Sequence, residues 1–112
     1  MKIFLAGAAG QLGQELLPLL QTMGEVTSVD RGFGGSASTN QIAQDLGDLN
    51  RVEIMLNRMQ PDLVVNACAY TAVDAAEKET ELAFRLNGDL PGCLAKWSQR
   101  NSALLFHYST DY

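Results

Sequence analysis

The sequence has few of the residue types that form metal sites and disulfides. It contains two cysteines, Cys68 and Cys93, and one histidine, His107. Cys68 lies in an apolar strand pattern and Cys93 in a helical pattern, which favours two buried, reduced thiols over a disulfide or a metal pair. Because a zinc ion takes about four protein ligands, these three residues do not supply a set. We therefore expect no metal ion within this chain.

Long apolar runs and basic clusters are also absent. No apolar run approaches the ~18 residues of a membrane span, and the residues after Met1 form a strand pattern instead of a signal peptide. The net charge is -5, whereas nucleic acids and acidic membranes need a basic surface. These absences predict a cytoplasmic protein that binds neither nucleic acid nor membrane.

The composition is that of a globular domain. The chain has 112 residues, of which 46% are hydrophobic and 19% are charged, and such values are not typical of a disordered segment. This length suffices for one hydrophobic core but is short for most complete enzymes. We interpret residues 1–112 as a single domain.

The most informative stretch is the first thirteen residues, MKIFLAGAAGQLG. The apolar run Ile3–Ala6 predicts a buried strand; glycines follow at Gly7, Gly10 and Gly13, and a helical pattern comes next. A side chain at Gly7 or Gly10 would block the approach of a diphosphate, and a helix N-terminus attracts anions through its unpaired N–H groups and its dipole. The stretch predicts a dinucleotide pocket. The alternative is a tight turn that needs glycine for positive φ.

An acidic residue ends the second predicted strand. This strand covers Glu25–Asp30, and Asp30 falls where a carboxylate binds the ribose of a dinucleotide. A carboxylate favours the free hydroxyl of NAD, whereas Arg31 beside it tolerates the phosphate of NADP. The residues leave the choice between the two cofactors open.

Helical patterns alternate with the strands in the first half of the chain. The first predicted helix, residues 13–22, is expected to kink at Pro18 and to end at Gly24. Its apolar stripe consists of Leu12, Leu16, Leu17, Leu19 and Leu20. A flexible connector at residues 31–40 leads to a short strand at residues 41–44.

The following helix has two candidate N-caps, Asp48 and Asn50. Its apolar face consists of Val52, Leu56 and Met59, and Pro61 prevents it from continuing.

The second half repeats the alternation. Residues 63–67 form a continuous apolar run, which is typical of a strand buried on both faces of a parallel sheet. The small residues after it allow backbone to approach a ligand. A helical pattern covers residues 80–100, where local rules predict a break at Pro91, and a fifth strand covers residues 103–108.

Five strands alternating with helices predict an α/β fold of the Rossmann type: a doubly wound parallel sheet with helices on both faces, in three layers. Such sheets bind ligands beyond the carboxyl ends of their strands. Four polar clusters fall on such ends, namely the glycine turn, Asp30, residues 66–71 and residues 109–111. We expect them to form one shared site.

Several candidate residues allow two interpretations. Asp45 can accept a hydrogen bond from an adenine amino group or can belong to a helix entry. Asn66 can contact the cofactor or can be a turn residue at a strand end. Asn87 can make a special hydrogen bond or can mark a break beside Gly88.

The last strand offers three more candidates. His107 is more typical of a satisfied core or edge histidine than of a catalyst. Ser109 and Thr110 carry hydroxyl groups that can polarise a substrate carbonyl, although such residues also cap helices and turns.

Three motifs together resemble a known family. They are Gly7-Ala8-Ala9-Gly10-Gln11-Leu12-Gly13, the stretch Asn66-Ala67-Cys68-Ala69-Tyr70-Thr71-Ala72-Val73-Asp74-Ala75-Ala76-Glu77, and His107-Tyr108-Ser109-Thr110-Asp111-Tyr112. With these motifs the chain resembles the extended short-chain dehydrogenase/reductases. It is most similar to the members that reduce dTDP-4-dehydrorhamnose to dTDP-L-rhamnose.

The resemblance implies NADPH or NADH as the cofactor and a dTDP-linked 4-ketosugar as the substrate. It implies that Thr110 orients the substrate carbonyl as a catalytic residue. The implied substrate residues are Thr71, Val73, Asp111 and Tyr112. The implied cofactor residues are Gly7, Gly10, Gln11, Leu12, Gly13, Asp30, Arg31, Asp45, Leu46, Asn66, Ala67, Ala69 and Tyr70. It also implies an unbroken helix through Pro91.

One family motif has no counterpart in these 112 residues. The family uses a Tyr-x-x-x-Lys pair to deliver the proton, and neither Tyr70 nor Tyr108 has a lysine four residues on. We therefore expect an N-terminal fragment that is inactive alone and whose sheet edge lacks its cover; a homodimer is one candidate assembly. The alternatives are a non-catalytic dinucleotide-binding subunit, like the regulatory subunit of methionine adenosyltransferase, and a sugar-nucleotide epimerase or dehydratase.

Overall fold

The computed structural model of the protein describes residues 1–32, 40–68 and 89–108. These residues form five strands and three helices, which we number in chain order. The strands are β1 (Lys2–Ala6), β2 (Glu25–Asp30), β3 (Gln41–Ala43), β4 (Leu63–Asn66) and β5 (Leu104–His107). The helices are α1 (Gln11–Gln21), α2 (Leu49–Met59) and α3 (Leu90–Asn101).

The five strands form one sheet in the order β3-β2-β1-β4-β5. Every neighbouring pair is parallel. The chain runs outwards from β1 to β3 and then crosses back to place β4 on the other side of β1. The strand order therefore reverses between β1 and β4, which is where doubly wound sheets bind their ligands.

Apolar side chains cover both faces of this sheet. On one face, Ile3, Leu5 and Val65 pack with Leu16 and Leu20 of α1. On the other face, residues of β1, β2 and β4 pack with residues of α2 and α3; the buried members are Phe4, Ala6, Val29, Leu46, Val52, Leu56, Val64, Leu90, Leu94 and Trp97. Helices therefore lie on both faces of a parallel sheet, and the predicted fold class is confirmed.

Helix α1 differs from the prediction at one leucine and at its proline. Leu20 is buried, but Leu19, which we predicted to pack on the sheet, is 64% exposed. The helix begins at Gln11 and continues through Pro18 to Gln21. Pro18 is exposed and removes one backbone donor without ending the helix.

Of the two candidate N-caps of α2, the structure shows Asp48 in that role. Its side chain accepts a hydrogen bond from the Arg51 backbone N–H, whereas Asn50 lies inside the helix. The helix ends at Met59, and Gln60 after it is left-handed with a φ of 50°. Val52 and Leu56 are buried, and Met59 packs against the core.

The described part of the predicted long helix is α3. Pro91 lies in the first turn of this described helix. Residues 80–88 lie outside the described residues, and so does Asn87. Neither the predicted break nor the unbroken helix is therefore tested.

Strand β5 lies at one edge of the described sheet. Its side chains Leu104 and Phe106 are 62% and 54% exposed. Within the ranges that the structure describes, no helix is long and apolar enough to span a membrane.

Candidate dinucleotide-binding site

The carboxyl ends of β1, β2 and β4 meet around the turn that joins β1 to α1. The Gly7 N–H donates to the Val29 carbonyl oxygen at 2.9 Å. The Ala9 N–H donates to Oδ2 of Asp30, also at 2.9 Å. These two bonds fasten the glycine turn to the end of β2, so two of the predicted clusters lie side by side.

Gly7 is required by the fold itself. Its φ is +81°, and a Cβ built on it would lie 2.7 Å from both the N and the Cα of Cys68. We predicted that a side chain here would block a diphosphate. The structure gives another reason, which is that the turn after β4 passes too close to Gly7 for any side chain to fit.

Gly13 is also constrained by its neighbours within the chain. A Cβ on Gly13 would overlap the carbonyl oxygen of Gly7 and would lie 2.7 Å from the Cα of Ala8. The absence of a side chain therefore lets the first turn of α1 pack directly on the glycine turn.

Gly10 differs from the other two glycines because the protein leaves space around it. It is exposed, its φ of -73° suits any residue, and an added Cβ would meet only the Gly7 carbonyl oxygen, at 3.5 Å. The fold does not require a glycine at this position. The absence of a side chain at Gly10 leaves this space open to a ligand.

The N-terminus of α1 begins at this open position. Gly10 is its N-cap, no side chain caps the helix, and its first turn holds no acidic residue. The N–H groups of Gln11, Leu12 and Gly13 in that turn have no intrahelical acceptor. Together with the positive end of the helix dipole they form a site suited to a diphosphate, so the residues present fit a dinucleotide.

The Asp30 carboxylate has two backbone partners. Oδ2 accepts from the Ala9 N–H, and Oδ1 accepts from the Arg31 N–H at 2.7 Å. A carboxylate offers about four lone-pair sites, so Asp30 can also accept a hydrogen bond from a ribose hydroxyl. Arg31 is exposed beside it.

The residues after β3 divide between the surface and the core. Asp45 is exposed, and its Oδ1 accepts from the Gly47 N–H at 2.8 Å, as expected for a residue at a helix entry. Leu46, a predicted cofactor residue, is only 1% exposed and belongs to the core. Its side chain packs inside the protein, which leaves its backbone as the part that a cofactor can contact.

Asn66 lies beneath the site. It is 0% exposed, its Oδ1 accepts from the Cys68 N–H, and its Nδ2 lies 3.0 Å from Nδ1 of His107. Both ends of the side-chain amide thus have protein partners, and contact of Asn66 with a cofactor stays a prediction. Ala67, the next predicted contact, is half-buried.

The carboxylates of Asp30 and Asp45 act on the Cys68 thiol at this edge of the sheet. The pKa of the Cys68 thiol is raised to about 12, chiefly by burial and further by the carboxylates of Asp30 and Asp45. Burial also raises the pKa of the Cys93 thiol. Both cysteines are free, as expected, but each is half-buried instead of fully buried. A neutral Cys68 is not a nucleophile.

The structure brings three of the four predicted clusters together: the glycine turn, Asp30 and the turn after β4. The fourth cluster lies outside the described residues, as do Ala69, Tyr70, Thr71, Val73, Thr110, Asp111 and Tyr112. Sequence reasoning missed the Ala9 N–H as the link between the turn and Asp30, because a backbone donor leaves no sequence signal. It also missed the pairing of Asn66 with His107.

Known proteins resemble this chain along its whole length. A family model described as the RmlD substrate binding domain matches residues 1–112. A dTDP-4-dehydrorhamnose reductase of Burkholderia thailandensis is 42% identical over 115 residues, which cover 100% of this chain and 34% of that protein. The enzyme of the same name from Salmonella typhimurium is 37% identical over 112 residues and is covered to 36%.

A solved structure shows the same backbone. The crystal structure of a hypothetical dTDP-4-dehydrorhamnose reductase from Sulfolobus tokodaii superimposes with a TM-score of 0.84 and 33% identity, covering 100% of this chain and 40% of that one. This chain therefore spans about a third of the length of its curated relatives. The resemblance drawn from the three motifs is confirmed, and the chain belongs to the RmlD substrate binding domain family.

Proposed function

We propose that this chain forms the dinucleotide-binding part of a reductase that uses NADPH or NADH to convert dTDP-4-dehydrorhamnose to dTDP-L-rhamnose. The observation that carries the proposal is the uncapped N-terminus of α1 beside the open position at Gly10. The names of the curated relatives support the substrate and the place in dTDP-sugar biosynthesis.

The described residues suggest how such a ligand would be held. The N–H groups of Gln11, Leu12 and Gly13 would bind the diphosphate, and Asp30 and Arg31 would lie beside the adenosine ribose. The bound dinucleotide supplies a hydride to the sugar. Asp45 would lie near the adenine. Leu46 would contact the adenine through its backbone only.

The remaining predicted site residues complete the proposal. Thr110 would orient the C4 carbonyl of the sugar. The ketosugar would contact Thr71, Val73, Asp111 and Tyr112, and the cofactor would contact Ala67, Ala69 and Tyr70.

A transplant experiment tests the function. The 112 residues replace the matching segment of the Burkholderia reductase, and oxidation of NADPH is followed with dTDP-4-dehydrorhamnose. We expect turnover by this chimera. We expect none from the 112-residue chain alone, although it should bind the dinucleotide, because it holds no Tyr-x-x-x-Lys pair for proton delivery.

Two outcomes would contradict the proposal. A chimera that folds and binds NADPH but does not oxidise it with the ketosugar would argue against the reductase assignment. Turnover by the chain alone at the rate of the chimera would show that proton delivery needs no further residues. The second candidate is a non-catalytic dinucleotide-binding module of the same fold, and the first of these outcomes would support it.

The choice between NADH and NADPH depends on Asp30. Asp30→Asn keeps an oxygen that can accept from the Ala9 N–H. It removes the charge and the second oxygen, which accepts from the Arg31 N–H. A hydrogen bond to a charged group contributes roughly 1.5–3 kcal/mol, so we expect this variant to weaken NADH binding about tenfold or more and to change NADPH binding less. Fluorescence titration of both cofactors measures the difference.

Asp30→Ala is the matched variant. It also removes the acceptor of the Ala9 N–H, so it should loosen the glycine turn and weaken both cofactors, NADH more than NADPH. Equal losses of both cofactors in Asp30→Asn would refute a role of the carboxylate at the ribose hydroxyl.

A cytoplasmic location and a homodimer accompany this proposal as predictions. Size-exclusion chromatography with light scattering measures the oligomeric state.

A further inference from the structure

His107 and Asn66 form a side-chain pair across the last two strands of the described sheet. The two residues are register partners in the pairing of β4 with β5, and Nδ2 of Asn66 lies 3.0 Å from Nδ1 of His107. Asn66 is fully buried, whereas His107 is exposed. The exposed imidazole of His107 therefore lies within hydrogen-bond distance of the buried side-chain amide of Asn66.

The chemistry of the neighbours fixes the direction of this bond. The Cys68 backbone N–H can only donate, so the oxygen of the Asn66 amide must face it, at 3.0 Å. The amide nitrogen therefore faces His107, and an amide nitrogen also can only donate. Nδ1 of His107 must accept, which requires a neutral imidazole with its proton on Nε2.

This bond is connected to the glycine turn. Asn66 holds the backbone of Cys68, and the backbone of Cys68 and Ala67 lies where a side chain of Gly7 would otherwise be. Gly7 is followed by the N-terminus of α1. A shift of the turn after β4 would therefore change the contacts of Gly7. It would also affect the adjoining N-terminus of α1, where we propose that the diphosphate binds.

We propose that His107 is a positioning residue of the dinucleotide site, whose neutral imidazole holds the Asn66 amide and whose protonation releases it. An imidazolium carries N–H on both ring nitrogens and has no acceptor for the amide. The effect on dinucleotide binding rests on the proposed function. The release of the Asn66 amide does not.

Among the residues that the structure describes, few other groups near β5 change charge over the same pH range. Of the described elements, β4 and α3 pack against β5. The titratable side chains of α3 are Cys93, Lys96 and Arg100, and Cys68 follows β4. Burial raises the pKa of both thiols, which keeps them neutral, and lysine and arginine side chains stay cationic between about pH 5 and 8. A response in that range is characteristic of histidine.

The experiment combines NMR with binding. The backbone resonance of Cys68 and the side-chain amide resonance of Asn66 are followed between about pH 5 and 8, together with the titration of the His107 ring. We expect both resonances to shift with the midpoint of the ring. Losing one neutral hydrogen bond should weaken NADPH binding about fivefold at the acidic end.

Two variants separate positioning from general stability. His107→Asn can place its side-chain oxygen near the position of Nδ1, so it should restore the acceptor and remove the pH dependence of both resonances. His107→Phe keeps an aromatic ring but has no acceptor for the Asn66 amide. At every pH its Cys68 and Asn66 resonances should resemble those of the wild type at acidic pH.

Distinct results overturn the two proposals. Resonances of Cys68 and Asn66 that stay constant while the His107 ring titrates would refute the positioning role, and so would an unchanged pH dependence in His107→Asn. If these resonances respond as expected but no dinucleotide binds at any pH, the proposed function fails and the positioning of the turn stands.

Discussion

Replacing Gly10 with aspartate should weaken dinucleotide binding by more than about 100-fold, which corresponds to about 2.7 kcal/mol, without destabilising the fold. The position is open, since an added Cβ would meet only the Gly7 carbonyl oxygen at 3.5 Å. Aspartate is a preferred N-cap and interacts favourably with the helix dipole. In the proposed site, its carboxylate would stand where the diphosphate binds and would repel it.

Paired measurements of stability and affinity test this expectation. Urea unfolding should show a free energy of unfolding equal to that of the wild type or up to ~1 kcal/mol higher, while NADPH affinity falls. Gly92→Asp is the control, because it introduces the same charge at another exposed position in the first turn of a helix with open space around it. Equal affinity of Gly10→Asp and Gly92→Asp would rule out a diphosphate at Gly10.

Replacing Gly7 with alanine should have the largest effect on stability. The left-handed backbone at Gly7 costs an L-residue about 1–2 kcal/mol, and the methyl group would lie 2.7 Å from the backbone of Cys68. The backbone there cannot yield as a flexible side chain would. We expect a loss of about 3 kcal/mol or more and a melting temperature lower by roughly 10–20 °C.

Circular dichroism during thermal unfolding measures this loss. Gly92→Ala is the matched control, because Gly92 lies in α3 with nothing within 4 Å of an added Cβ. It should stabilise the chain by up to roughly 1 kcal/mol through helix propensity. A Gly7→Ala variant with the melting temperature of the wild type would show that the turn after β4 leaves room for a side chain at Gly7.

Strands β1, β4 and β5 were predictable because each is a mostly apolar run bounded by turn residues. Strand β2 has the predicted limits, Glu25–Asp30, and β4 ends one residue before the predicted Ala67. Helix faces were harder to predict. The leucine pattern of α1 allowed a wide stripe, and only its contact with the sheet decides that Leu20 is buried while Leu19 is exposed.

The sequence predicted which segments come together at the candidate site, but not the contacts that each residue makes there. The order of strand, glycine turn and helix predicted that this turn lies at the carboxyl edge of the sheet, beside the end of β2, and it does. The sequence could not distinguish Gly10, which borders open space, from Gly7 and Gly13, which touch other parts of the chain. Such contacts join segments far apart in the sequence and exist only after folding. For the same reason the sequence did not reveal that the side-chain amide of Asn66 has Cys68 and His107 as partners.

Calorimetric titration of the 112-residue chain with NADPH and with NADH tests the central claim most directly. The account predicts saturable binding of at least one of them at a single site, with the affinity lost in Gly10→Asp and kept in Gly92→Asp. A chain that is folded by circular dichroism and binds neither dinucleotide would contradict it.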